Sequence, residues 1–93
     1  MVESYITDLI RALYKEYIDK NGDISCEIAI DRGTIDEVFQ FVENNNLTTE
    51  KSKWVASECK TCQEYHGEQY VHFQLVTLDY INENVENIIR ISK

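Results

Sequence analysis

Cys59-Lys60-Thr61-Cys62, followed by His66 and His72, carries the residue types of a metal site. Two thiolates and two imidazoles at C-x2-C-x3-H-x5-H can close a tetrahedral shell around zinc, and a structural metal supports a small core. The run lacks the Gly or Pro that usually shapes a thiolate knuckle, and its spacing matches no common zinc module. On a regular strand, positions 59 and 62 also project to opposite faces. The expectation is therefore no metal and no other cofactor, with Cys59, Cys62, His66 and His72 as the alternative zinc set. A redox C-x-x-C needs a strand leading into a helix that starts at the motif, and the elements read below do not supply one. A Cys62–His72 pair across a hairpin could activate a thiolate. No Ser or carboxylate stands at a diagnostic spacing beside it, and there is no phosphate-binding Gly loop, so no enzymatic activity is expected.

The elements that must position these residues follow from periodicity. Val2, Ile6, Leu9, Leu13 and Tyr17 form a helical stripe, widened by Tyr5, Ile10, Tyr14 and Ile18, so a helix is expected over 2–20. Arg11, Lys15 and Lys20 lie off that stripe, and Asn21-Gly22 stops the helix. Ile24, Cys26, Ile28 and Ile30 alternate with Ser25, Glu27 and Ala29, which predicts a strand with Cys26 facing inward among the isoleucines. Thr34 to Glu37 reads as a capping box opening a helix from Ile35 to about Glu43, with Ile35, Val38, Phe39 and Val42 buried.

Segment 48–66 supports two readings. As a helix it places Val55, Cys59, Cys62 and Tyr65 on one side, and the chain becomes mostly α. As a strand it pairs with the alternating run Val71, Phe73, Leu75, through a loop at His66-Gly67-Glu68. That hairpin sets Cys59 opposite Leu75, Thr61 opposite Phe73 and Gln63 opposite Val71, and it is the preferred reading. Asn82 to Ile91 reads as a closing helix capped by Asn82, with Val85, Ile88 and Ile89 buried. The expected fold is one α+β domain over 1–93: a small, three-stranded, largely antiparallel sheet packed against helices, in the order α-β-α-β-β-α.

Charge narrows the function classes. Seventeen Asp and Glu face nine Lys and Arg, for a net charge of −8. Such a field repels a phosphate backbone, so direct nucleic-acid binding is not expected, while basic partners are attracted. From Thr61 to Ile89 there are five acids and no Lys or Arg, with Tyr65, Tyr70 and Tyr80 among them. Tyr supplies stiff contact area and cation–π attraction, and carboxylates accept the guanidinium fork. The residues expected to bind a partner are Glu64, Tyr65, Glu68, Tyr70, Asp79, Glu83 and Glu86. No basic-then-apolar leader opens the chain, and no apolar run nears the roughly 18 residues that span a membrane. No membrane association is expected, and the three thiols are expected to be reduced, in the cytoplasm.

Two resemblances are legible. Asp19-Lys20-Asn21-Gly22-Asp23 resembles the opening of an EF-hand calcium loop. Ile24 and Ile30 stand where that loop needs its sharp-turn Gly and its bidentate Glu, which leaves a polar helix stop. In composition the chain is short, acidic and rich in Asn, Ile and Tyr, and so is similar to phage-encoded anti-defence proteins such as anti-CRISPRs; no motif carries that likeness. It implies an inhibitor or decoy that blocks the basic nucleic-acid-binding surface of a partner protein. A zinc-stabilised adaptor is one alternative. An immunity-type protein that forms a homodimer through the sheet edge or first helix is the other.

Overall fold

The computed structural model describes residues 2–22 and 26–93, with Cys26 described in its backbone alone. The expectations for Asp23, Ile24, Ser25 and the Cys26 side chain lie outside the described residues.

Eight elements follow in order: α1 (Ser4–Asp19), β1 (Cys26–Asp31), α2 (Ile35–Asn44), β2 (Ser52–Ser57), α3 (Lys60–His66), β3 (Tyr70–Thr77), α4 (Leu78–Glu83) and β4 (Ile88–Ile91). The α+β class stands. Among the described residues, however, the sheet has four antiparallel strands rather than three, in the order β1-β3-β2-β4. The long helices α1 and α2 pack on one sheet face and the short helices α3 and α4 on the other. Strand parity sorts the two: Phe73 and Leu75 belong to the core shared with α1 and α2, whereas His72 and Gln74 face α3 and α4.

The first core is built around Trp54. Its ring stacks on Phe73 at 4.8 Å between centroids, and Phe39 meets Phe73 edge-on at 5.2 Å. The indole Nε1–H donates to the Leu47 carbonyl at 2.8 Å, which satisfies the polar handle that burying a Trp brings with it. Ile10 and Tyr17 of α1, and Val38, Phe39 and Val42 of α2, close over this centre. Helix α2 thus keeps its expected span and buried side. Helix α1 keeps its span but turns its face: Ile10 is fully buried, while Leu9, Tyr5 and Ile18 are exposed. The apolar positions of α1 are so numerous that several stripes fit them, and packing on β1 and β3 selects the one through Ile6, Ile10, Leu13, Tyr14 and Tyr17.

Three local expectations change. Thr34 makes no side-chain cap bond to α2. Its hydroxyl donates to the Asp31 carbonyl, and Asp31 Oδ1 accepts from Gly33 N at 2.7 Å, so a single 3-10 turn over 32–34 leads into the helix. The 48–66 segment is neither one strand nor one helix: β2 takes 52–57 and α3 takes 60–66. In consequence Trp54 faces Leu75 and Ala56 faces Phe73, so the register with Cys59, Thr61 and Gln63 opposite those positions is incorrect. The tail is not a helix over 82–91. Thr77 Oγ1 caps α4, residues 85–87 form a 3-10 turn, and Ile88–Ile91 pairs with β2. Val85 and Ile89 are therefore exposed rather than buried, and Ile88 is half-buried. The β-branched Ile88, Ile89 and Ile91 suit a strand, and the free edge of β2 gives them a ladder to complete.

Candidate functional site

Two features of the α3–α4 face could act on something outside the chain: a cluster of sulfur and imidazole groups, and an acidic surface.

The cluster begins where β2 ends. Cys59 is the N-cap of α3, and its Sγ accepts from Cys62 N at 3.3 Å. Glu58, just before it, accepts from Arg32 at 2.7 Å and from Gln63 Nε2 at 2.8 Å. That pair of bonds ties the start of α3 to the turn that follows β1. Helix α3 then lies along β3, bringing Cys62 back to His72. The ligand atoms of Cys59, Cys62 and His72 lie within 4.8 Å of one another. His72 Nε2 stands 2.8 Å from Glu27 Oε2 on β1. Burial, with the hydrogen bond and charge of Cys59 and the charge of Glu27, pushes the Cys62 thiol up to about 11.

The sequence named Cys59, Cys62, His66 and His72 as one metal-type set. The structure unites three of them. His66 lines the same shallow cavity, but its ring packs on Tyr70 at 5.4 Å between centroids and is not part of the trio. The approach of Cys62 to His72 was anticipated by the wrong route: Ser57 is the cross-strand partner of His72, and Cys62 arrives through the turn of α3. A strand does lead into a helix that opens at the C-x-x-C, contrary to expectation. Glu27 was missed. The signal for it was the alternation in β1, which sets Glu27 and Ala29 on one face, with Ala29 paired to His72.

Gly67 makes the return from α3 into β3. Its φ of 114° and ψ of 163° lie in a region that only Gly adopts without strain, and an added Cβ would meet nothing within 4 Å. Gly67→Ala is therefore expected to cost about 1–3 kcal/mol by backbone strain alone. Urea melts check this: a midpoint that does not move would remove Gly67 as the reason α3 turns where it does.

Comparison with protein-family models, with curated proteins and with solved structures returns no match for this chain.

The acidic residues are placed as follows. Glu64 and Tyr65 ride on α3, and Glu68 lies in the loop after it; all three are exposed, Tyr65 at 82%. Tyr70 is half-buried at the start of β3. Asp79 and Glu83 stand exposed on α4. Glu86 is exposed in the turn beyond, whose Asn87 carbonyl accepts from Glu58 N at 2.9 Å. Tyr80 is not a free aromatic, since its hydroxyl accepts from Gln74 Nε2 at 2.8 Å. Two lysines dilute this side of the molecule: Lys60 opens α3 one turn before Glu64, and Lys53 shares the sheet face of Val55, whereas Lys51, just before β2, lines a cavity with Tyr17 and Ile18 of α1. Three aliphatic side chains are exposed as well: Leu78 on α4, Val85 in the following turn, and Ile91 opposite Val55 on β4. Among the described residues, no helix is long and apolar enough to cross a membrane.

Proposed function

We propose that the chain is a small protein-binding inhibitor whose α3–α4 face occupies the basic, nucleic-acid-binding surface of a partner protein. One observation carries this reading. Helices α3 and α4, the loop and turn beside them and strand β4 expose Tyr65, Leu78, Val85 and Ile91 as well as Glu64, Glu68, Asp79, Glu83 and Glu86. Scattered carboxylates alone serve solubility. Carboxylates mixed with exposed rings and aliphatics offer both halves of a binding surface: charge that steers an Arg- and Lys-rich partner, and apolar area that holds it once water leaves. In such a complex the carboxylates stand where phosphates would, and Tyr65 offers its ring to a guanidinium in place of a base. The role suits the chain's compositional likeness to phage-encoded anti-CRISPR proteins.

The test is a titration against the basic partner recovered from the native host, with the partner's own DNA or RNA as competitor. Affinity should fall steeply as salt rises, and the chain and the nucleic acid should exclude each other. Glu64→Lys combined with Glu68→Lys should weaken binding on the order of 10–100-fold, chiefly through slower association. Affinity indifferent to both salt and charge reversal would rule the reading out, as would simultaneous binding of chain and nucleic acid.

A further inference from the structure

We infer that Cys59, Cys62 and His72 bind a thiophilic divalent cation of the zinc class, which staples α3 onto β3. This assignment does not depend on the binding role proposed above.

Three features of the cluster fit such an ion. First, the ligand atoms already converge to within 4.8 Å of one another. A tetrahedral shell with Zn–S near 2.3 Å and Zn–N near 2.0 Å needs neighbouring ligands roughly 3.3–3.8 Å apart. Small side-chain rotations close that gap. Second, His72 is held from behind. Its Nε2 lies 2.8 Å from Glu27 Oε2, and a carboxylate hydrogen-bonded to a ligating His is the usual outer partner that fixes ring orientation. Third, Cys59 Sγ already accepts a backbone N–H from Cys62, the kind of donor that stabilises a metal-bound thiolate.

Helix α3 adds an independent reason. It has seven residues, and all of them are exposed or half-buried. A helix this short does not persist in water through its own hydrogen bonds, and this one has no fully buried side chain to hold it. Both thiols lie at its first turn and the imidazole on the strand beneath, so one ion spanning them anchors the helix. Two sulfurs and one nitrogen suit zinc over magnesium or calcium. The fourth position faces the open cavity and takes water. A redox dithiol is the competing use of Cys59 and Cys62. It employs two of the three groups and gives the His72–Glu27 pair no task.

The test uses the full, untagged chain, reduced and stripped of metal, titrated with Co2+ and then Zn2+. One equivalent of Co2+ should produce sulfur-to-cobalt charge transfer in the near-ultraviolet and the visible absorption of a tetrahedral ion, and Zn2+ should displace both. Cys59→Ser, Cys62→Ser and His72→Gln should each weaken binding at least 100-fold, while His66→Ala keeps the spectrum. Glu27→Gln should keep the spectrum and weaken binding about 10–100-fold. Free Zn2+ a hundredfold above Kd should raise the Tm on the order of 10 °C. A variant that unfolds also loses the band, so the wild-type spectrum decides first. The assignment is overturned if wild-type protein gives no sulfur-to-cobalt band, or if the band survives Cys59→Ser with Cys62→Ser. Loss of the band in His66→Ala overturns the three-ligand set. A Cys59–Cys62 disulfide in protein that binds no metal after reduction does the same in favour of redox chemistry.

Discussion

Trp54→Ala should lower stability by roughly 3–5 kcal/mol, the usual cost of truncating a fully buried large aromatic. A domain of this size has a total on the order of 5–15 kcal/mol, so the variant should be partly or largely unfolded at 37 °C. Three losses combine. Trp54 has no exposed surface, so the cavity opens at the centre of the sheet. Phe73 loses its stacking partner, and through it Phe39 loses a fixed edge-on neighbour. The Leu47 carbonyl loses the indole N–H that anchors the turn after α2. Trp54→Phe separates these effects, because it keeps a ring against Phe73 and removes the N–H. It should cost about 1–3 kcal/mol, the cost of leaving a buried acceptor unpaired. Urea melts followed by far-UV circular dichroism measure both variants. If Trp54→Ala shifts the midpoint no further than Trp54→Phe, the stacked core is not what holds β2 and β3 together.

The same strand shows where sequence patterning succeeds and where it fails. Helix α2 was legible because its apolar residues face one way only, with Val38, Phe39 and Val42 buried and Asp36 and Gln40 exposed. β2 was not legible, because it is covered on both faces. Trp54, Val55 and Ala56 are all fully buried, so the alternation that marks a half-exposed strand is missing. Without that mark, the only alternation in this region is that of β3, and a hairpin extrapolated from it runs through residues that belong to α3. Seven residues give fewer than two helical turns, too few to show a period. The cluster was legible in residue type and not in geometry. Cys59, Cys62 and His72 come together because a strand end, a one-residue cap and a short helix follow in that order, and a uniform element through 48–66 could not have assembled them. Glu27 depends on the pairing of β1 with β3, a contact between residues about 45 positions apart that no local pattern contains.

The tail carries the sharpest consequence of the corrected fold. Ending the chain after Asn87 would do little harm if 82–91 were a surface helix. With β4 in the sheet, it should abolish the folded monomer. β2 would become an edge, with Trp54 and Val55 uncovered along it. The paired bonds from Ser92 N to the Trp54 carbonyl, 2.9 Å, and from Trp54 N to Ser92 Oγ, 3.0 Å, would both be lost. So would the Arg90 guanidinium, which lies over the Phe39 ring at 4.8 Å and pairs with Asp36. An uncovered apolar edge is a template for pairing with other chains, so the expected product is soluble aggregate on size exclusion rather than a loosened monomer. Ser92→Ala is the finer probe. Ser92 is 3% exposed, and losing its hydroxyl leaves the Trp54 N–H buried without an acceptor. That should cost about 1–3 kcal/mol, whereas Ile91→Thr, at the exposed neighbouring position that ends β4, should cost less than half as much. A truncated chain that stays monomeric and melts cooperatively would show that β2 does not need its outer partner.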